Sequence, residues 1–143
     1  MTVARILKEK GRDVLTTQPH RTLQEVAAVL SAKGVGAVVV TDAVGHVLGI
    51  LSERDIVRAV GHVGADSLGD PVSKHMTARV STITEETSID HVMQTMTNGR
   101  FRHMPVVEDG RLIGIVSIGD IVKRHVTELH TEREALREYI ATA

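Results

Sequence analysis

"GILSERD" (residues 49–55) and "GIVSIGD" (residues 114–120) write one pattern twice: Gly, two apolar residues, Ser, two variable residues, Asp. Their serines, Ser52 and Ser117, stand 65 residues apart. The sequence on either side extends the pairing into a repeat that covers most of the chain. "TLQEVAAVL" (22–30) aligns with "SIDHVMQTM" (88–96). Leu23, Val26, Ala27 and Leu30 in the first copy, and Ile89, Val92, Met93 and Met96 in the second, follow i, i+3, i+4, i+7, the stripe of an amphipathic helix. Thr22 and Ser88 supply the oxygen wanted at an N-cap. The β-branched runs "GAVVVTD" (36–42) and "MPVVED" (104–109) read as strands, followed by the turns "TDAVGH" and "EDGR". Second strands, "VLGIL" (47–51) and "LIGIV" (112–116), end at the paired serines, where helices begin: "ERDIVRAV" (53–60) and a longer one from Ile118 towards Tyr139. With "DVLTT" (13–17) and "RVSTI" (79–83) placed in front, each copy reads strand–helix–strand–strand–helix.

A unit of roughly 60 residues buries too little surface to be stable alone. Two such units are expected to pack their apolar faces on each other with pseudo-twofold symmetry, giving an α/β (α+β) fold with an extended C-terminal helix. The boundaries read 1–62 for the first repeat with its N-terminal segment, 63–75 for a connector, 76–127 for the second repeat and 128–143 for the helical extension. Twofold repetition also implies two equivalent sites or half-sites beside the shared interface.

Composition narrows the function classes. The chain has 143 residues, 42% hydrophobic and 24% charged, with a formal net charge of −1, so it carries no overall attraction to nucleic acid or to an anionic membrane. No apolar run approaches the roughly 20 residues that span a bilayer. "MTVARILKEKGRD" mixes charges among its apolar residues and has no signal-peptide core, so the expected setting is cytoplasmic. The lack of cysteine excludes disulfides, thiol catalysis and thiolate metal sites. Phe101 and Tyr139 are the only aromatics, which leaves the core to Val, Ile, Leu, Met and Ala.

The seven-residue pattern itself allows two readings. Ser-x-x-Asp at a strand-to-helix turn has the form of a capping box. The same residues suit a ribose-phosphate site: N–H groups at a helix start attract phosphate, Ser donates to phosphate or hydroxyl, and Asp accepts from both hydroxyls of a ribose diol. The Gly three residues before Ser is then expected to let a ligand ring approach the backbone. Duplication of Gly, Ser and Asp at one spacing favours the ligand reading, because a cap tolerates other residues in place of Ser and does not need the Gly.

These motifs resemble the tandem repeat of the cystathionine-β-synthase (CBS) domain family, the regulatory Bateman module. The family pattern Gly, apolar, x, Ser/Thr, x, x, Asp is "GILSERD" and "GIVSIGD"; the strand with apolar-Pro-Val is "RHMPVVED"; the Met-Thr that opens a repeat is "HMTARVSTI". The match runs over roughly residues 5–126, and more narrowly "SERDIVR", "RHMPV" and "SIGDIV" resemble small stand-alone bacterial proteins made of one such pair with a C-terminal helix. The first repeat departs from the pattern, with Val38 where Pro would stand and "KEKGRD" in place of Met-Thr.

The resemblance implies adenosine-containing ligands (AMP first, with ADP, ATP or NAD(H) as alternatives) held in clefts between the repeats, and no metal. By similarity, Asp120 holds the ribose hydroxyls at the second repeat and Ser117 contacts ribose or phosphate. Ile115, Val80 and Thr77 line the adenine pocket, with Arg102 and His103, next to Met104 and Pro105, near base or phosphate. The counterparts at the first repeat are Asp55, Ser52, Ile50 and Val14, with Val35 and Gly36 beside the base. Arg54, where the second copy has Gly119, is placed to neutralise phosphate bidentately. Paired repeats of this family associate into disc-shaped homodimers. Ile121, Val122, Val126, Leu129, Leu136, Tyr139 and Ile140 give the last helix more apolar stripe than its own repeat needs.

Other signals are weaker. "GVGAVV" (34–39) follows a helix and enters a strand, the reverse of the dinucleotide-binding order, and lacks its third Gly. The histidines have no metal-binding spacing, Met93, Met96 and Met104 read as core, and "KRH" (123–125) reads as a solvated helix face. Nucleophile–base pairs, clustered ligands and a Lys-bearing phosphate loop are missing, which points away from an enzyme and towards a nucleotide sensor acting on a regulated partner. The competing reading is a structural adaptor that has kept the fold without a ligand.

Overall fold

The repeat becomes two small sheets, each with its own helices. The computed structural model describes residues 1–142. The first half contains α1 (Val3–Lys10), β1 (Thr16–Thr17), α2 (Leu23–Lys33), β2 (Ala37–Thr41), β3 (Val47–Ser52) and α3 (Glu53–Val63). A 3₁₀ turn (Ala65–Gly69) and α4 (Val72–His75) lead to α5 (Ile89–Gly99), β4 (His103–Glu108), β5 (Arg111–Ser117) and α6 (Ile118–Thr142). The architecture is the mixed α+β repeat that the sequence implies.

Local chemistry sets the element ends. Thr22 Oγ1 accepts from Glu25 N and Ser88 Oγ accepts from His91 N, each at 3.1 Å, capping α2 and α5. Both helices stop at a left-handed residue, Gly34 (φ 66°) and Arg100 (φ 56°). β2 lies between β1, parallel to it, and β3, antiparallel to it; β4 and β5 form an antiparallel pair. Both hairpins slip register at the same place, between Val40 and Thr41 and between Val106 and Val107. The strand expected over 79–83 is reduced to one parallel bridge, Ile83 to Val106, while Arg79, Val80 and Ser81 line a cavity.

Each repeat lends its leading helix to the other. Val3, Ile6 and Leu7 of α1 are buried with Ile89, Val92, Met96, Val106, Val116 and Ile121 in the core of the second half. Val72 of α4, fully buried, joins Leu23, Val26, Val38 and Leu51 in the core of the first. The backbone bonds are reciprocal: Val72 N donates to Arg21 O and Leu23 N to Asp70 O, while Val3 N donates to Thr87 O and Ile89 N to Met1 O. Burying each of these Val and Leu side chains contributes about 1.5–3 kcal/mol, so neither half is complete without the other's lead helix.

This exchange also explains the glycines of the repeated pattern. A Cβ on Gly49 would lie 2.7 Å from both Met76 Sδ and Thr77 O, and one on Gly114 would lie 2.8 Å from a Leu7 methyl. The two glycines make room for the segment arriving from the opposite repeat. The expectation that they admit a ligand ring is therefore corrected: the space is filled by protein.

Candidate functional site

β3 ends at Ser52 and α3 starts at Glu53, and this junction forms one wall of a cavity of about 270 Å³, near the lower end of small-molecule sites. Ser52 Oγ accepts from Asp55 N at 3.3 Å, while Asp55 Oδ2 accepts from Ser52 N at 2.9 Å and from Ser52 Oγ at 3.1 Å. The capping box is thus formed, and it orients the carboxylate without using all of it. Asp55 Oδ1 faces Arg58 Nη1 at 3.7 Å, beyond hydrogen-bond length, and the Asp55 side chain is 11% exposed. A mostly desolvated carboxylate oxygen with spare acceptor capacity, at the rim of a cavity, suits a pair of hydroxyl donors.

The opposite wall comes from the second repeat. Ile50 N donates to Thr77 O and Thr77 N to Ile50 O, both at 3.0 Å, so the chain leaving α4 runs along the edge of β3 and carries Arg79, Val80 and Ser81 into the cavity. Arg100, Phe101 and Arg102, between α5 and β4, close it together with His103 at the start of β4.

Of the residues expected at a site, Gly36, Ile50, Ser52, Arg54, Asp55, Thr77, Val80, Arg102 and His103 line this one cavity. The grouping differs from the expectation. Thr77, Val80, Arg102 and His103, assigned to the cleft of Asp120, gather instead around Asp55, because exchange of the lead helices sends each repeat's opening segment to the other's β-edge. Met104, 1% exposed, belongs to the core of the second half, and Pro105 is buried; neither lines the cavity. Val35, 43% exposed, lines a separate shallow groove on α2 and α3. Val14, Ile115, Ser117 and Asp120 lie outside the cavity lining. Arg58, Arg79, Arg100 and Phe101 were missed. "RFRH" (100–103) held the signal, since three of its residues are basic where the first copy reads "GVGA" (34–37).

The second junction is the same device in a different state. Asp120 N donates to Ser117 Oγ at 3.1 Å, and Asp120 Oδ2 accepts from Ser117 N at 2.9 Å. Lys10, at the end of α1, adds its ammonium: Nζ is 2.7 Å from Asp120 Oδ2 and 3.0 Å from Ile115 O. Burial pushes the Asp120 carboxyl up, but the Lys10 and Ser117 hydrogen bonds outweigh it and hold the group below the ordinary carboxylate range. Asp120 is thus already paired within the chain.

His103 lies between the two junctions. Burial lowers its pKa below the ordinary 6.5, and Lys10 and Arg102 lower it further against the opposing pull of Asp120 and Glu53. The neutral imidazole is therefore favoured at pH 7. An anion against it would raise its pKa, and a ligand that raises a pKa binds better where the proton is present. Affinity for an anion that does not titrate in this range, such as sulfate, should therefore rise at this position as pH falls through 6.5 towards the lowered value, and His103→Gln should flatten the profile. Calorimetric titration between about pH 5 and 8 checks this; a wild-type profile that is flat or falls towards acid would contradict it.

Two copies of one unit, each completed by the other around a Ser-x-x-Asp junction, are matched by a model of the CBS domain over residues 3–62 and 72–126. The chain belongs to the CBS-domain family. It is similar to the CBS-domain protein ATU1752 of Agrobacterium tumefaciens, whose crystal structure is 51% identical with a TM-score of 0.85 and covers 87% of this chain and 99% of that one. An uncharacterized 17.7 kDa protein of Acidianus ambivalens is 39% identical over 82% of this chain and 70% of its own length. The CBS pair of protein MJ0100, solved with 5′-methylthioadenosine and S-adenosyl-L-methionine, is 26% identical with a TM-score of 0.80 over 90% of this chain and 98% of that one. In this CBS pair, both family matches begin within the exchanged helices α1 and α4.

Proposed function

We propose that this CBS pair is a non-enzymatic regulatory module that binds an adenosine-containing nucleotide in the cleft of Asp55 and passes its occupancy to a regulated partner. One observation carries the reading. Asp55, desolvated and with an oxygen to spare, stands across a cavity from Thr77, Val80 and an arginine-rich loop of the other repeat. Asp55 takes the ribose hydroxyls, Ile50 and Val80 flank the base, and Ser52 with the arginines meets phosphate. A ligand so placed ties the two repeats together, which is how binding at one cleft changes the surface of the whole pair. The adenosine ligands bound by the MJ0100 pair support the same chemical class. AMP, ADP, ATP and NAD(H) all contain the part that Asp55 reads. The test is AMP against its 2′-deoxy analogue: the analogue should bind at least about tenfold more weakly, since one charge-assisted hydrogen bond is lost, and equal affinity would contradict the diol assignment.

The proposed working form is a homodimer. Val57 on α3 and Val122, Val126, Leu129, Leu136 and Ile140 on α6 are each more than half exposed, while Ile121 alone on α6 is buried. A row of apolar side chains at this exposure is expected to be covered by a second copy. Light scattering at micromolar concentration should give twice the 15.5 kDa chain mass; a strictly monomeric mass would contradict the dimer.

A further inference from the structure

The internal repeat lets each cleft serve as a control for the other, and the comparison shows where charge has been placed. Five arginines, Arg54, Arg58, Arg79, Arg100 and Arg102, are among the residues that line the cavity of Asp55, against two acidic residues, Glu53 and Asp55. At the equivalent positions the other half of the chain has Gly119, Lys123, Asp13, Gly34 and Gly36. Four of the five arginines thus have no basic counterpart, and Arg79 stands where the other half has an acid, Asp13. Equivalence is fixed by structure rather than by spacing alone. Gly34 and Arg100 both end their helices in the left-handed region. Gly36 O accepts from Glu53 N at 2.9 Å just as Arg102 O accepts from Ile118 N at 2.8 Å.

Arg100 is the telling member. Its φ of 56° is a conformation that glycine adopts freely and that a residue with a Cβ adopts at a cost. The first repeat uses glycine there. Keeping a long cationic side chain at a strained position on the cavity rim indicates a use for the charge. Five arginines and two acids at one small cavity leave a formal excess of positive charge that a single monophosphate, with a charge near −2, does not balance.

We propose that the Asp55 cleft selects ligands carrying two or more linked phosphates, with Arg54, Arg79, Arg100 and Arg102 forming a polyphosphate subsite beyond the ribose. The proposal rests on the adenosine reading of this cleft and deepens it. A pyrophosphate group comes either from a nucleoside di- or triphosphate or from a dinucleotide, and the arms of the test separate these sources.

The full-length protein is titrated calorimetrically with AMP, ADP, ATP and NAD+ at low and high salt, and resonance shifts of the Thr77 and Gly36 amides assign binding to this cleft. ADP should bind at least about tenfold tighter than AMP, with the ratio shrinking as salt rises. NAD+ matching ADP would assign the pyrophosphate alone, and ATP exceeding both would assign a longer chain; either supports the subsite. Arg100→Gly removes the charge and the backbone strain together, so folding is not at risk, and Arg79→Ala provides a second variant. Each should reduce the ADP-to-AMP preference about threefold or more. Equal affinity for AMP and ADP, or an unchanged preference in both variants, would overturn the subsite while leaving the adenosine site intact. Failure of every adenosine ligand to shift Thr77 and Gly36 would overturn both.

Discussion

Asp55→Ala is expected to lower the affinity of the proposed cleft for AMP at least tenfold while costing the fold little. Two hydrogen bonds from a ribose diol to a carboxylate are worth about 1.5–3 kcal/mol each net of the water bonds they replace, and a loss of about 1.4 kcal/mol is already a factor of ten. The same carboxylate accepts from Ser52 N at 2.9 Å as part of the capping box, so the alanine variant also loses about 1 kcal/mol of stability. Asp55→Asn separates the two roles. Its amide oxygen still accepts from Ser52 N and restores the cap, but it lacks the charge that strengthens the ribose bonds. Melting temperature should recover in the Asn variant and affinity should not. If both variants bind AMP within twofold of the wild type, Asp55 is a capping residue and nothing more. Asp120→Ala is expected to behave differently, because that carboxylate already holds Lys10 at 2.7 Å.

Leu7→Ala is expected to destabilise the protein by about 2–5 kcal/mol, the range for deleting a leucine from a packed core. Leu7 is 1% exposed, and it packs in the second half although it lies ahead of the first. For a fold whose whole stability is on the order of 5–15 kcal/mol, that is a large share. Urea denaturation reads the loss, and hydrogen exchange locates it: protection should fall in α5, β4 and β5 rather than in α2, β2 and β3. A loss below about 0.5 kcal/mol, as at an uninvolved surface position, would mean that α1 does not dock where it is placed.

These two residues mark the limits of the sequence as a guide. The paired Ser-x-x-Asp pattern, the helical stripes and the Thr22 and Ser88 caps are local signals, read within a few residues, and the elements they imply are present. Which repeat a segment packs against is not local. Val3, Ile6 and Leu7 describe an apolar helix face, but nothing in their spacing says that the face belongs with Ile89 and Val116. The connector 63–75 likewise hid the 3₁₀ turn and α4, whose one deeply buried apolar anchor is Val72. That exchange is why Thr77 and Val80 appeared to belong with Asp120 and lie with Asp55 instead. The glycines failed for a related reason. A glycine marks a close approach, and the sequence does not say whether ligand or protein makes it. The arginines of the cavity were readable one by one; what could not be read was that Arg54, Arg79 and Arg100, distant in the chain, face one space.

The most direct measurement is an amide-resonance titration of the full-length protein with AMP. Binding at the proposed cleft should shift Gly36, Ile50, Ser52, Thr77 and His103 together and saturably, since these residues come from both repeats and share one cavity. The absence of saturable shifts at these five amides, or shifts confined to α6, would contradict the assignment of this cavity as the nucleotide site.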